Sequence, residues 1–447
     1  MGRIVVIGGV AGGATAAVWA KRTDPQAEVV LVEKTAHISQ ATCSLPYFVA
    51  GLIRDRERLT VRTPSQLERQ PGVRVLVKTE AVEIDPLGRR VRVRSQGGGE
   101  EVLTYDALVL ATGSRPRRPD LPGAKLEGVF LLKSVEDALT IEDYLTSRRP
   151  ARVLVAGAGI LGLEMVEAYR RRGLEVGLVE AGERPLGWLH PEVSREVEAV
   201  FQRHQVAFYP SSPLEAVVGD GRVEGAVAGG SRHACQLVQL CLGFEPNVEL
   251  ARRAGAEVGP SGALRVDSSQ KTSLPSVYAC GECAEVYLIP QREWRYLPLA
   301  NPANRAGQVA GINAAGGSAT MPPRTGATAV RCFDRVIAFC GLRHGDVLSG
   351  RFGPVATTVV RAWEKPPTQP DAVEALIVLH WERGSGRLLG AELVGSELSG
   401  IRLGILSLAI AQGMTLDRLA EVDLPYTPPL SPLWDPLLVA VRRTLRG

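Results

Sequence analysis

No uninterrupted apolar run among these 447 residues reaches the roughly 20 positions a helix needs to cross a bilayer. The apolar opening from Arg3 to Ala20, ahead of Lys21-Arg22, imitates a secretory leader, but Gly8, Gly9, Gly12 and Gly13 interrupt it. A surplus of one charge is also missing. The 52 Lys and Arg against 48 Asp and Glu leave a net +4, too even for a nucleic-acid binder recognised by electrostatics alone. Cysteine is sparse and odd in number, seven residues scattered from Cys43 to Cys340. That excludes a dense secreted disulfide framework and fits a reducing cytosol. Low-complexity tracts are absent, and 45% hydrophobic with 22% charged residues is globular composition. The expectation is a soluble, cytoplasmic protein with no membrane or nucleic-acid partner, long enough for about three domains.

What is present is a repeat. Arg3-Ile-Val-Val-Ile-Gly8-Gly-Val-Ala-Gly-Gly13 leads into a helix-like stretch and then Val29-Val-Leu-Val-Glu33. Arg152-Val-Leu-Val-Ala-Gly157-Ala-Gly159-Ile-Leu-Gly162 leads into another, then Val176-Gly-Leu-Val-Glu180. Each reads as a buried parallel strand, a glycine turn, a helix and a second strand ending in an acid. Glycines let the backbone approach a pyrophosphate, the helix N-terminus favours its charge, and the acid accepts from ribose hydroxyls. One such turn is weak evidence, since an ordinary strand-to-helix turn has the same look. Two complete units, each with its acid about 20 residues on, point to two nucleotide sites. The first copy departs from the pattern, with Val10 at the middle glycine position.

Two further strands are expected to end in turns, Tyr105 to Gly113 and Ser276 to Glu282. Pro116 to Pro122 reads as a linker, Gly243 to Pro246 as its return, and Pro322-Pro323 as a second boundary. Beyond it, Ala356 to Leu379 and Leu388 to Val394 read as strands, Gly400 to Gln412 as a helix, and a proline-rich tail begins at Tyr426.

Across essentially the whole chain this arrangement resembles the flavin-dependent pyridine nucleotide-disulfide oxidoreductases. Within them it is most similar to the single-cysteine subgroup of coenzyme A disulfide reductases and NAD(P)H-dependent persulfide reductases. Ser39-Gln-Ala-Thr-Cys43-Ser-Leu-Pro46-Tyr47 resembles the subgroup's cysteine motif, and Tyr426-Thr-Pro-Pro-Leu-Ser431 with Asp435-Pro436 its C-terminal motif. Valine inside the first glycine turn is normal for that subgroup. The fold implied is α/β: two Rossmann-like nucleotide-binding domains plus a C-terminal α+β dimerisation domain. The implied boundaries are 1–117 with 246–322 for FAD, 118–245 for NAD(P)H, and 323–447 for dimerisation.

The resemblance assigns FAD to Gly8, Val10, Ala11, Gly12, Gly13, Glu33, Lys34, Ala111, Thr112, Gly113, Gly281 and Glu282. Glu282 stands where the family has an Asp. NADH is assigned to Gly157, Gly159, Ile160, Gly162 and Glu180, with NADPH disfavoured because the Glu180 carboxylate repels a 2′-phosphate. Arg184 nearby keeps NADPH as an alternative. Arg22, Ser39, Thr42, Arg62, Asn304 and Arg305 are the implied coenzyme A contacts, although a solvated surface role is the commoner fate of such arginines. No metal is expected: Cys280-Gly-Glu-Cys283 has no matching second pair and falls inside the flavin turn, where filling space is the simpler role.

Cys43 carries the proposed chemistry. Pro46 suits the first turn of a helix, which sets Cys43 at a helix N-terminus where thiolate is favoured over thiol. The resemblance implies that Cys43 alternates between thiolate and a mixed disulfide with a small thiol, coenzyme A above all. Phe48 replaces the second cysteine of dithiol relatives, a C-terminal His-Glu pair is absent, and Ala11 replaces the histidine of peroxidases and oxidases. Thr42 and Ser44 replace the common asparagine and glycine, and Trp363 to Thr368 lacks a tyrosine that some coenzyme A reductases use. Tyr426 is implied to reach the neighbouring subunit of a homodimer and assist the departing thiolate; a structural tyrosine is the alternative. Two other functions stay open: an NADH oxidase or quinone dehydrogenase in which Cys43 is vestigial, and a non-enzymatic redox-sensing flavoprotein.

Overall fold

Arg3–Ile7 alternates its side chains between two cores, as a strand covered on both faces must. Ile4 and Val6 join Ala16, Ala17, Ala20, Ala306 and Ala310 on one side, and Val5 and Ile7 join Ile84, Val91, Val93 and Leu103 on the other. In the computed structural model, which describes residues 2–446, this strand is the centre of a five-stranded parallel sheet. The order is Val277–Ala279, Ala107–Leu110, Arg3–Ile7, Glu28–Val32, Arg74–Leu76. Helices Ala11–Thr23 and Ala300–Ala314 cover one face. The antiparallel meander Thr79–Asp85, Arg90–Ser95, Glu100–Thr104 covers the other.

The two helices touch backbone to backbone. A Cβ on Gly307 would stand 2.2 Å from the Gly12 carbonyl oxygen, and one on Gly311 equally close to that of Ala16. Only glycine permits that approach.

A second parallel sheet repeats the plan in the order Val206–Tyr209, Glu175–Val179, Arg152–Ala156, Leu237–Leu240, Val129–Phe130. A three-stranded antiparallel sheet, Leu214–Val218, Gly225–Ala228 and Ser231–Ala234, packs beside it. The chain passes between the two halves along Ser114–Pro116 and comes back along Phe244–Pro246, and these segments pair as an antiparallel ribbon.

The C-terminal part is one antiparallel sheet in the order Thr328–Cys332, Arg335–Gly341, Leu388–Gly395, Glu374–Glu382, Val355–Trp363. Helices Glu397–Ala411, Leu416–Ala420 and Pro436–Arg446 pack on it. The fold class is the expected one, two Rossmann-like sheets and a C-terminal α+β part. Details differ. The stretch read as strand from Ala356 to Leu379 is two strands, broken at Glu364 to Val373. The first two strands of this sheet gave no sequence expectation. The helix begins at Glu397, before Gly400, because Ser396 accepts the Leu398 N–H and caps it. Among the described residues no helix is long and apolar enough to cross a membrane.

One hydrophobic core runs from Leu45 and Phe48 through Ile141, Leu163 and Val166 to Val330, Ile337 and Val394. It fixes the second sheet against the C-terminal one.

Candidate active site

The carboxyl ends of the central strands open on one cavity of about 1400 Å³. That is where open α/β sheets hold ligands, and it exceeds the roughly 300–1,000 Å³ of single-ligand pockets. Of the residues expected at FAD, Gly8, Val10, Ala11, Gly12, Glu33, Lys34, Ala111, Thr112, Gly113, Gly281 and Glu282 line it. Of those expected at NADH, Gly157, Gly159, Ile160 and Glu180 do so. Thr42 and Cys43 lie on the same wall.

The two glycine turns repeat the same backbone features. Gly8 and Gly157 sit at φ +99 and +102, left-handed values that favour glycine. Gly13 and Gly162 do not reach the cavity. They let each helix pack on its turn, because a Cβ would stand 1.8 Å from the Gly8 oxygen and 1.9 Å from the Gly157 oxygen respectively. Glu33 Oε2 accepts the Gly9 N–H at 2.7 Å and Glu180 Oε2 accepts the Ala158 N–H at 2.6 Å. Their second oxygens accept from Thr35 and Gly182, both at 2.8 Å. Each acid therefore braces its own glycine turn. Val10 fits because its position, φ −87, is open to any residue.

Cys43 occupies a single 3-10 turn, Thr42–Ser44, leading into the helix Leu45–Val49 with Pro46 in its first turn. It is the exposed cysteine; the other six are buried, and none of the seven is in a disulfide. The expected thiolate bias is not what the site imposes. Burial raises the Cys43 thiol above its ordinary value, Glu164 and Glu282 push the same way, and the Thr42 hydroxyl and Lys133 only partly oppose them. A helix of five residues has a small dipole, and nearby carboxylates outweigh it.

Three residues of this wall were not singled out from sequence. The Lys133 ammonium pairs with the Glu282 carboxylate, which also accepts from the Ser114 hydroxyl. Lys133 also lies 4.7 Å from the Phe244 ring centre. Glu282 thus lines the cavity with its carboxylate already paired to Lys133 and Ser114. Glu164, on the helix Ile160–Arg171, has a carboxyl pushed up to about 7 by burial, with Glu167 adding to the effect. Gln40 ties the cysteine loop down: its Oε1 accepts the Val135 N–H at 3.0 Å.

The remaining expected residues are elsewhere. Arg22, Arg62, Asn304 and Arg305 are exposed and Ser39 half-buried, none lining the cavity. Asn304 donates to Thr15 at 2.8 Å on the first helix, whose last turn carries Arg22. Ser39 donates its N–H to the Gly9 carbonyl, and its own carbonyl accepts from Val61, beside Arg62. Tyr426 is 51% exposed and away from the Cys43 cavity of its own chain. Cys280 and Cys283 belong to the cores on opposite faces of the first sheet, so they fill space on either side of the turn. Among the described residues no cluster of His, Cys, Asp or Glu is suited to hold a metal ion.

A family model described as pyridine nucleotide-disulphide oxidoreductase matches residues 2–307. The chain belongs to this family. As a pyridine nucleotide-disulphide oxidoreductase it is an FAD-dependent enzyme that takes its electrons from NAD(P)H. The two braced glycine turns facing one cavity fit two dinucleotides. It is 32% identical to the NAD(P)H coenzyme A polysulfide/persulfide reductase of Pyrococcus horikoshii, over 98% of each chain. It is 30% identical to the NADH oxidase of Methanocaldococcus jannaschii, over 99% of each. Among solved structures it is similar to a NAD-dependent persulfide reductase from A. fulgidus, with TM-score 0.96 and 33% identity, covering 99% of this chain and 83% of that one.

Proposed function

We propose that this enzyme uses NADH to reduce coenzyme A disulfide, or the related coenzyme A persulfide or polysulfide, through Cys43. The observation that carries the reading is the position of Cys43, the one exposed cysteine, on the wall of the cavity that both glycine turns enter. Gly8, Val10, Ala11 and Gly12 with Glu33, Ala111 to Gly113 and Gly281-Glu282 hold FAD; Gly157, Gly159 and Ile160 with Glu180 hold NADH, and Gly13 and Gly162 seat the helices behind the two turns. When bound, these two cofactors supply an electron pair to the sulfur chemistry.

Cys43 thiolate attacks one sulfur of the substrate, forming a Cys43–substrate disulfide and expelling the other half as thiolate. Two electrons and a proton then cleave that mixed disulfide, release the second thiol and return Cys43 to thiolate. One protein cysteine suffices because the substrate brings the partner sulfur. Lys133 favours the thiolate electrostatically, and Glu164, part-protonated near neutral pH, stands by as a proton donor. Arg22, Arg62 and Arg305, all exposed, meet the phosphates of coenzyme A, with Ser39, Thr42 and Asn304 along the path to Cys43.

The working form is a cytoplasmic homodimer. Ile401 and Leu408 on the helix Glu397–Ala411, and Leu430, Leu433 and Trp434 in the tail, are all more than half exposed, and a second copy covers such an apolar surface. Tyr426, in the same tail, acts in the neighbouring subunit's site.

Mass spectrometry of protein isolated without reductant tests the proposal: a coenzyme A adduct on Cys43 is expected. Cys43→Ser should lose disulfide turnover by at least about a hundredfold while NADH still bleaches the flavin. Turnover surviving in that variant rules the mechanism out. An NADH oxidase is the second reading, motivated by the Methanocaldococcus relative. Oxygen consumption that matches NADH use in Cys43→Ser would favour it.

A further inference from the structure

Three of the six histidines gather around one buried carboxylate. Glu392, on the C-terminal strand Leu388–Gly395, has no exposed surface. Its Oε2 accepts the backbone N–H of His190 at 2.6 Å, and its Oε1 the backbone N–H of His344 at 2.8 Å. His380 Nε2 lies 3.3 Å from Oε1, and its other ring nitrogen lies 2.9 Å from the Thr357 hydroxyl. A carboxylate is buried at a cost that only such bonds offset. Here they fasten a loop of the nucleotide-binding half to the C-terminal sheet.

That loop is Ala181 to His190, directly after the acid Glu180. Leu186 donates its N–H to the Ala158 carbonyl at 3.0 Å, and it holds φ +50, a left-handed value rare for leucine. The Trp188 carbonyl accepts the Gly345 N–H at 3.0 Å. So fixed, the Trp188 indole lies on the NADH glycine turn: its Cη2 is 3.6 Å from where a Cβ on Gly159 would stand. The residue is 36% exposed. It borders the main cavity and a side pocket of about 310 Å³ lined also by Glu180, Gly182 and Arg184.

We infer that Trp188 is a binding residue for the pyridine nucleotide, packing its ring against the dinucleotide at Gly159, and that Glu392 is the positioning residue that holds it there. The inference rests on the assignment of Gly157 to Gly162 and Glu180 to NADH. An aromatic face beside a phosphate turn offers apolar contact to the sugar or base that no backbone amide supplies. The C-terminal sheet, which has no glycine turn, thereby sets nucleotide affinity from outside the nucleotide-binding half.

The test is rapid mixing of the full-length, FAD-loaded enzyme with increasing NADH, which separates the dissociation constant from the limiting rate of flavin reduction. Trp188→Ala should raise the dissociation constant roughly tenfold and Trp188→Phe should largely restore it. Glu392→Gln offers one strong acceptor to two backbone N–H groups and should raise the constant several-fold. In these variants the limiting rate and the KM for the disulfide should hold. Should Glu392→Gln fail to fold, Gly345→Pro removes the N–H that holds Trp188, in the first turn of a helix where proline is tolerated, and should give the same rise. Glu180→Ala is the control. If it weakens NADH while Trp188→Ala does not, the inference is overturned and the site assignment stands. If neither weakens NADH, the assignment itself is overturned. A Trp188→Ala variant that loses limiting rate at unchanged affinity also overturns the inference.

Discussion

The ammonium of Lys133 pairs with the carboxylate of Glu282 across 149 residues of sequence, and both line the cavity that Cys43 enters. The cation that favours the Cys43 thiolate is therefore partly neutralised, while Glu164 keeps its repulsion.

The balance is testable by removing one charge at a time. Lys133→Met should slow alkylation of Cys43 by iodoacetamide at neutral pH, on the order of fivefold to tenfold, with the rate recovered at higher pH. Glu164→Gln should act in the opposite direction. Glu164 is neutral below about 7 and a carboxylate above it, so the glutamine variant should also lose an inflection near that value in the pH–rate profile. An unchanged alkylation profile in both variants would separate these groups from the sulfur.

The histidines near Glu392 make stability depend on pH. Burial, first, and a neighbouring histidine hold His190 and His344 below the ordinary histidine value of 6.5, with Glu392 working the other way. A depressed pKa means that the fold prefers the neutral ring. Its stability is present in full above about 6.5 and is lost as pH falls through the folded-state values. Glu164 works the other way, since a buried carboxyl held up at about 7 costs less as it protonates, so the histidines should show as a decline in melting temperature below about pH 6.5 superimposed on that gain. His344→Asn should reduce that decline; a decline of equal slope would refute the assignment.

Gly307→Ala addresses the first sheet alone, where the proposed FAD site lies. Its Cβ would stand 2.2 Å from the Gly12 oxygen, so the two helices must separate, at about 1–3 kcal/mol. A lower melting temperature and faster FAD loss on dilution are expected, with the Cys43 alkylation rate of loaded enzyme unchanged. Thermal denaturation followed by flavin fluorescence reads both.

What was legible in the sequence was local and repetitive. The turns Gly8 to Gly13 and Gly157 to Gly162 could be read because glycine is required there by left-handed φ or by a carbonyl within bonding reach. Glu33 and Glu180 could be read from their spacing as ribose acceptors at the end of the next strand; that each also braces its own turn only the structure shows. The Lys133–Glu282 pair and the approach of Glu164 to Cys43 depend on which strands become neighbours, and no spacing encodes that. The thiol expectation failed for the same reason. Pro46 was a sound helix signal, but the carboxylates that dominate come from the helix Ile160–Arg171 and the turn at Gly281. Thr328–Cys332 and Arg335–Gly341 were missed because short antiparallel strands with Arg331 and Asp334 at their junction carry little periodicity. Ser396 is the cap residue that sets the start of the helix Glu397–Ala411.

Where the chain crosses between its two parallel sheets, outgoing Ser114–Pro116 and returning Phe244–Pro246 lie hydrogen-bonded side by side. The segment between them begins and finishes at one doorway. Its interior can lengthen, shorten or diverge without changing the distance the first sheet must span, because that gap is already closed by the ribbon. A fold spliced in this way lets the part that carries Gly157 and Glu180 be exchanged as a cassette, while the sheet whose central strand leads into Gly8 stays intact.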